Sequence, residues 1–131
     1  PKIYLYIHSD GGDAYAGLSA MDHVRRCPIK VVAILDGFVA SAATFILLGA
    51  AERCAFRHSY MLIHQLSTAF WGKYADLVDE MHNSKKLMTT IRRVYKSQTS
   101  ISNGTLTALL QKEVTLSAKQ CLKHGFVQKI L

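Results

Sequence analysis

Hydrophobic and polar positions change period several times along the chain, and each change marks an element. Residues 2–8 alternate and are rich in β-formers, which predicts a strand, and Ser9-Asp10-Gly11-Gly12 closes it as a tight turn. Apolar Ala14, Leu18, Met21 and Val24 then recur at spacings of three and four. They predict a helix over 13–26, with Asp13 as its N-cap and Cys27-Pro28 as its end. Residues 30–35 form an almost wholly apolar, β-branched run, the pattern of a strand covered on both faces. Asp36-Gly37 is expected to turn the chain into a second helix over 40–51. Strand, glycine turn and helix thus occur twice, and two such units predict a parallel-rich sheet with right-handed crossovers.

Short strands over 53–56 and 60–64 would extend the same layered core. Residues 73–98 carry Leu77, Met81, Met88, Ile91 and Tyr95 in a near-heptad stripe broken by Ser84, which predicts the longest helix. Such a helix is about 39 Å long at 1.5 Å per residue, more than a domain of this size covers, so part of it is expected to meet another subunit. Helices over 103–112 and 117–123 and a strand over 127–131 complete the reading. With no repeat, low-complexity segment or linker, residues 1–131 are expected to form a single domain.

Composition narrows this picture. At 131 residues, half of them hydrophobic, the chain has material for one core. The longest uncharged apolar stretch, residues 37–51, is interrupted by serine, threonine and glycine and falls short of the roughly 20 residues that a bilayer span needs. No membrane association is expected. The first residues lack the basic start, apolar centre and small-residue cleavage site of a secretion signal. Opening directly in a strand and without methionine, the chain is expected to lack an N-terminal segment that could carry an address. A cytoplasmic location is expected, or an organellar one if such an address exists.

Cys27, Cys54 and Cys121 have no metal or redox spacing and read as small core residues in a reducing compartment. Six dispersed histidines, His58 and His64 among them, lack the i, i+4 spacing of a helical zinc site, so neither a metal nor another cofactor is expected. Sixteen basic against nine acidic side chains leave a formal charge of +7. Much of the excess, Lys85, Lys86, Arg92, Arg93 and Lys96, falls in the long helix as a solvated face. No stacking aromatics interleave with it, which argues against nucleic-acid binding.

Two segments offer chemistry. Gly37-Phe38-Val39-Ala40-Ser41-Ala42-Ala43 places Ser41 at the start of an apolar helix, among unpaired N–H groups and the positive end of the helix dipole. Met61-Leu62-Ile63-His64-Gln65 places His64 where a buried strand emerges into a loop. A serine hydroxyl becomes a nucleophile when a histidine accepts its proton, a carboxylate orients the histidine and N–H donors receive the oxyanion. Each residue also has a plain structural reading, Ser41 as a helix-start serine and His64 as a satisfied strand-end histidine. The glycines of Ser9-Asp10-Gly11-Gly12 would let backbone N–H groups approach a substrate, or serve only as a loop.

The order Tyr4-Leu5-Tyr6-Ile7-His8-Ser9-Asp10-Gly11-Gly12 with Ala16-Gly17, Gly37-Phe38-Val39-Ala40-Ser41-Ala42, Met61-Leu62-Ile63-His64-Gln65, Leu116-Ser117-Ala118 and Gly125-Phe126-Val127 resembles the ClpP family of serine peptidases. The likeness covers nearly the whole chain and leans toward the divergent ClpP-like proteins of phages and viruses. It implies an α/β, ClpP/crotonase-like fold of repeated ββα/βα units with a long protruding handle helix. It implies a serine endopeptidase, the proteolytic subunit of an ATP-dependent Clp-type protease. Ser41 matches the nucleophile and His64 the base, while Gly12 and Ala42 match the oxyanion hole. Gly11, Gly12 and Gln65 match substrate-binding positions. Implied partners are unfolded protein or peptide substrates, further copies of the chain in stacked rings, and an AAA+ unfoldase.

The chain departs from the family pattern at several places. Glu113 stands where the family has its catalytic aspartate, and it reads either as the orienting carboxylate or as a solvated side chain. Asp76, Asp79 and Asp36 are the other carboxylates near enough in sequence to weigh, the first two on the long helix and the third in its turn. Asp10 replaces a proline, Ala43 a glycine and Leu66 a proline. Two other readings of the chain follow, a catalytically inactive ring subunit and a crotonase-class acyl-CoA enzyme.

Overall fold

The computed structural model describes residues 1–131. A six-stranded sheet forms the centre of the fold, built around one long strand. Strand β1 (Lys2–Ser9) leads to helix α1 (Ala14–Arg26), and β2 (Lys30–Ala40) returns parallel to β1. Helix α2 (Ala43–Gly49), strands β3 (Glu52–Ala55) and β4 (Tyr60–Leu62), and the long helix α3 (Tyr74–Gln98) follow. Helix α4 (Asn103–Leu110), strand β5 (Leu116–Ser117), helix α5 (Ala118–Lys123) and strand β6 (Lys129–Ile130) close the chain. The strand order is β5-β4-β2-β3-β6 with β1 also on β2, and every pairing is parallel except β4 with β5. The mixed α/β fold with a long helix agrees with the architecture read from the sequence.

Local chemistry accounts for the element ends. The Asp13 carboxylate accepts from the Ala16 N–H at 3.1 Å and starts α1, which buries Gly17 and Met21 against α2. Gly17 has no room for a side chain, since a Cβ there would lie 2.7 Å from the Ala42 carbonyl oxygen. Ser117 and Gln120 cap α5 reciprocally, at 3.2 Å from Gln120 N to Ser117 Oγ and 2.8 Å from Ser117 N to Gln120 Oε1. The core is continuous through Leu35, Val39, Leu47, Met61, Leu106 and Phe126, all fully buried.

Two expectations change at the centre of the sheet. Asp36-Gly37 does not end the strand; β2 runs on to Ala40 and bends there, with Gly37 at φ +74°. Before the bend β2 pairs with β3, and after it with β4. Ser59 fills the break between them: its hydroxyl donates to Leu35 O at 2.9 Å and accepts from Gly37 N–H at 3.0 Å, which pairs both groups across the bend. The second helix accordingly starts at Ala43 rather than Ala40, because Ala40 belongs to the strand and Ser41 has a left-handed backbone.

The long helix begins within a residue of its expected place, but its stripe packs differently. Leu87, Ile91, Val94 and Tyr95 are buried, whereas Leu77 and Met81 are exposed. The second half of α3 therefore serves this domain, while its first turns, residues 74–79, are exposed. No helix is long and apolar enough to cross a membrane.

Candidate active site

Ser41 lies between β2 and α2, on a sharp strand-to-helix elbow with φ +57°. A left-handed backbone is costly for a residue with a Cβ, of order 1–3 kcal/mol, and is kept only where surrounding contacts over-determine it. Those contacts are present. The Ser41 N–H donates to Leu62 O on β4 at 2.9 Å, and the Ser41 carbonyl accepts from Thr44 N–H at 3.0 Å. Gly11 presses against the same elbow: a Cβ there would meet Ala40 O at 2.6 Å and Ser41 Cβ at 2.8 Å. The elbow lifts the serine side chain out of the core toward the C-terminal ends of β2 and β4.

His64 follows β4 by two residues, and its ring spans the gap to the serine. Nε2 is 3.0 Å from Ser41 Oγ, and Nδ1 is 2.9 Å from Glu113 Oε1. An ionised carboxylate only accepts, so Nδ1 carries the proton and Nε2 is left to accept from the serine hydroxyl. Glu113 reaches this position because β5 pairs antiparallel with β4, Met61 opposite Leu116, and Gln65 N–H donates to Leu110 O at 2.8 Å. The strand β5 was not foreseen; two residues carry no readable period, yet they align the segment that holds Glu113. The Glu113 side chain is 72% exposed and that of His64 26%, so the carboxylate works from the solvent edge of the cleft.

A cleft of about 120 Å³ opens beside the serine, lined by Gly12, Ser41, Ala42, His64 and Gln65 and walled by apolar Phe45, Ile91 and Tyr95. The Gly12 and Ala42 N–H groups donate to no protein acceptor and both border the cleft. Gly11 differs, since its N–H already donates to Ser9 Oγ at 3.1 Å and it packs on the elbow rather than on the cleft wall. Gln65 borders the cleft with its own N–H committed to Leu110. Asp76 caps α3 instead, its carboxylate accepting from Lys73 N–H at 3.3 Å. The walls Ile91 and Tyr95 were visible in the sequence only as part of a helical stripe.

The polar arrangement is therefore a hydroxyl, an imidazole and a carboxylate in series, with two free N–H groups beside the hydroxyl. Comparison with known proteins gives the family. The Clp protease family model matches residues 1–131. The ATP-dependent Clp protease proteolytic subunit of Aethionema cordifolium is 32% identical, over 98% of this chain and 67% of that protein. Proteins of the same description from Barbarea verna, at the same identity and coverage, and from Chloranthus spicatus, 32% identical over 65% of its length, are similar too. A match from the first residue to the last, through the elbow, the histidine and the segment of Glu113, makes this chain a protease subunit that belongs to the Clp protease family.

Proposed function

We propose that the chain is a serine-type endopeptidase that hydrolyses unfolded protein or peptide segments through an acyl-enzyme. The observation that carries this reading is the unbroken relay Ser41 Oγ to His64 Nε2 at 3.0 Å and His64 Nδ1 to Glu113 Oε1 at 2.9 Å. In the reaction His64 takes the hydroxyl proton as Ser41 Oγ attacks the scissile carbonyl carbon. The carbonyl oxygen becomes an oxyanion and receives hydrogen bonds from the Gly12 and Ala42 N–H groups. Collapse breaks the C–N bond, and the imidazolium returns its proton to the departing amine. Water, deprotonated by His64, then attacks the ester carbon, the bond to Ser41 Oγ breaks as the imidazolium returns the proton to that oxygen, and the acyl product leaves. Glu113 keeps the Nδ1–H tautomer and offsets the charge of the imidazolium.

An extended substrate is held through its backbone, so selectivity comes from access to the cleft more than from side-chain recognition. The relatives are named as proteolytic subunits of an ATP-dependent protease, which supports an AAA+ unfoldase as partner. Exposed Tyr74, Leu77, Val78 and Met81 on the first half of α3 support assembly with further copies in stacked rings. Three free cysteines fit a reducing interior, and we assign the cytoplasm or the inside of an organelle. The exposure of Glu113 favours one second reading, a ring subunit that holds the fold without turnover. The Clp protease match sets aside the acyl-CoA enzyme.

Labelling with a fluorophosphonate probe, read by intact mass, separates the two. Wild type is expected to gain one adduct, Ser41→Ala none, and His64→Ala to react at least about a thousandfold more slowly. An unlabelled wild type that is folded and assembled would leave the structural subunit as the reading.

A further inference from the structure

The Ser41 carbonyl accepts two hydrogen bonds from a single residue, Thr44, whose N–H lies at 3.0 Å and whose Oγ1 lies at 2.6 Å. The threonine hydroxyl has one proton and gives it to that carbonyl. In its 2.7 Å contact with the Tyr95 hydroxyl it must therefore accept, and the phenol is the donor. Tyr95 is 1% exposed and Thr44 fully buried, and burial pushes the phenol's ionisation well above its usual range. The tyrosine thus keeps its proton at neutral pH. A directed chain runs from Tyr95 O–H to Thr44 O–H to the Ser41 carbonyl.

The Ser41 carbonyl and the Ala42 N–H belong to one planar trans peptide and point in opposite directions. Whatever fixes the carbonyl also aims the N–H. We propose that Thr44 and Tyr95 are positioning residues that aim the Ala42 N–H at the developing oxyanion, by latching the peptide between the nucleophile and its neighbour. A helical threonine often returns its hydroxyl to a carbonyl three or four residues back, and that alone means little. Here the carbonyl is that of the left-handed Ser41, and a second donor arrives from another helix 51 residues away. Hydrogen bonds accepted by the carbonyl also polarise the peptide and make its N–H a stronger donor. Tyr95 lines the cleft with its ring while its hydroxyl serves the latch, so one residue links the cleft wall to the oxyanion donor.

This inference rests on the serine-peptidase reading. Its test is steady-state hydrolysis of a short fluorogenic peptide amide with an apolar residue before the cleaved bond, for wild type, Ser41→Ala, Thr44→Val, Thr44→Ser, Tyr95→Phe and the Thr44→Val/Tyr95→Phe pair. Removing a direct oxyanion donor costs about 100- to 1,000-fold in kcat, and mis-aiming one is expected to cost about tenfold in Thr44→Val and Tyr95→Phe, with KM within about twofold. Thr44→Ser restores most of the lost kcat because it keeps the hydroxyl. The double variant is no slower than Thr44→Val, since both act through one bond. Inhibition by a peptidyl boronic acid weakens in step with kcat/KM, while binding of the product peptide does not. Thermal melts for every variant confirm the fold, and Tyr95→Phe covers the case in which Thr44→Val fails to fold. Unchanged kcat in Tyr95→Phe and Thr44→Val, or a Thr44→Ser as slow as Thr44→Val, overturns the latch and leaves the peptidase reading standing. Turnover that survives Ser41→Ala sinks the peptidase reading, and the latch with it.

Discussion

Glu113 meets His64 Nδ1 from a side chain that is 72% exposed, and this exposure sets how much the contact can contribute to the proposed reaction. Where a buried aspartate fills the role, loss of its charge costs about 10⁴ in kcat. Water around Glu113 screens its field, so Glu113→Gln is expected to lower kcat/KM by about ten- to a hundredfold, with the amide oxygen still able to accept from Nδ1–H. Glu113→Asp withdraws the carboxylate by about one C–C bond, 1.5 Å, which breaks a 2.9 Å contact unless the backbone of residues 110–116 follows. The aspartate variant is therefore expected to be no better than the glutamine, a result that peptide hydrolysis rates read directly. A fall of ten-thousandfold in Glu113→Gln would show that substrate or a neighbouring copy dries the carboxylate. Ser41 and His64 were legible in sequence because each ends an apolar run, where the chain must emerge from the core. Glu113 was not legible that way; its place came through family resemblance, and the geometry that supports it depends on a two-residue strand. Tyr95 showed only as part of the helical stripe, and its pairing with Thr44 left no signal, since a buried hydroxyl pair 51 residues apart is made only by packing.

At the level of elements, one buried cation ties several ends together. Arg53 on β3 is 7% exposed, and its guanidinium donates to Gln98 O at the end of α3 at 2.8 Å, to Gly125 O at 3.1 Å and to Leu48 O near the end of α2 at 3.4 Å. The Gln98 and Leu48 carbonyls are ones that a helix end leaves without intrahelical partners, and the negative ends of the α3 and α2 dipoles favour the positive charge, while Gly125 lies just beyond α5. Burial, with Arg25 nearby, lowers the affinity of Arg53 for its proton, and Nε finds no acceptor. The group stays ionised because an arginine has far to fall before it loses charge. Arg53→Met is expected to cost about 3–5 kcal/mol in urea unfolding, since it strands the Gln98 and Gly125 carbonyls, which no apolar side chain can satisfy, while Leu48 O keeps the Arg25 guanidinium at 3.4 Å. A cost below about 1 kcal/mol would mean that water takes over those carbonyls. The same scale shows why the sequence misled at Asp36-Gly37. An Asp-Gly pair after an apolar run reads as a turn, and its local signal is right about the bend. What it cannot show is Ser59, which repairs the ladder across the bend and lets one strand serve β3 and then β4.

Across the whole molecule, burial sets the response to alkali. The sequence placed the cysteines in the core, and Cys121 is fully buried, its thiol pushed up to about 12 by desolvation. Tyr95, also buried, moves in the same direction. In the unfolded chain a thiol ionises near 8.5 and a phenol near 10. Below about pH 8 both groups are protonated in both states and contribute no pH dependence. Between about pH 9 and 12 the unfolded chain has lost the Cys121 proton and the native protein has kept it. Unfolding then releases a proton, and stability falls by about 1.4 kcal/mol per pH unit, with a second such contribution from Tyr95 above about pH 10. Urea unfolding from pH 7 to 11 under reducing conditions reads this slope. Cys121→Ala is expected to be less stable at pH 7 by about 1 kcal/mol, through the small void it leaves. It lacks the first slope, so its stability should meet that of wild type near about pH 9 and exceed it beyond. Parallel curves that never cross would mean that the native thiol ionises as freely as the unfolded one. Water would then reach Cys121, and the core between α5 and β5 would be open on the timescale of the titration.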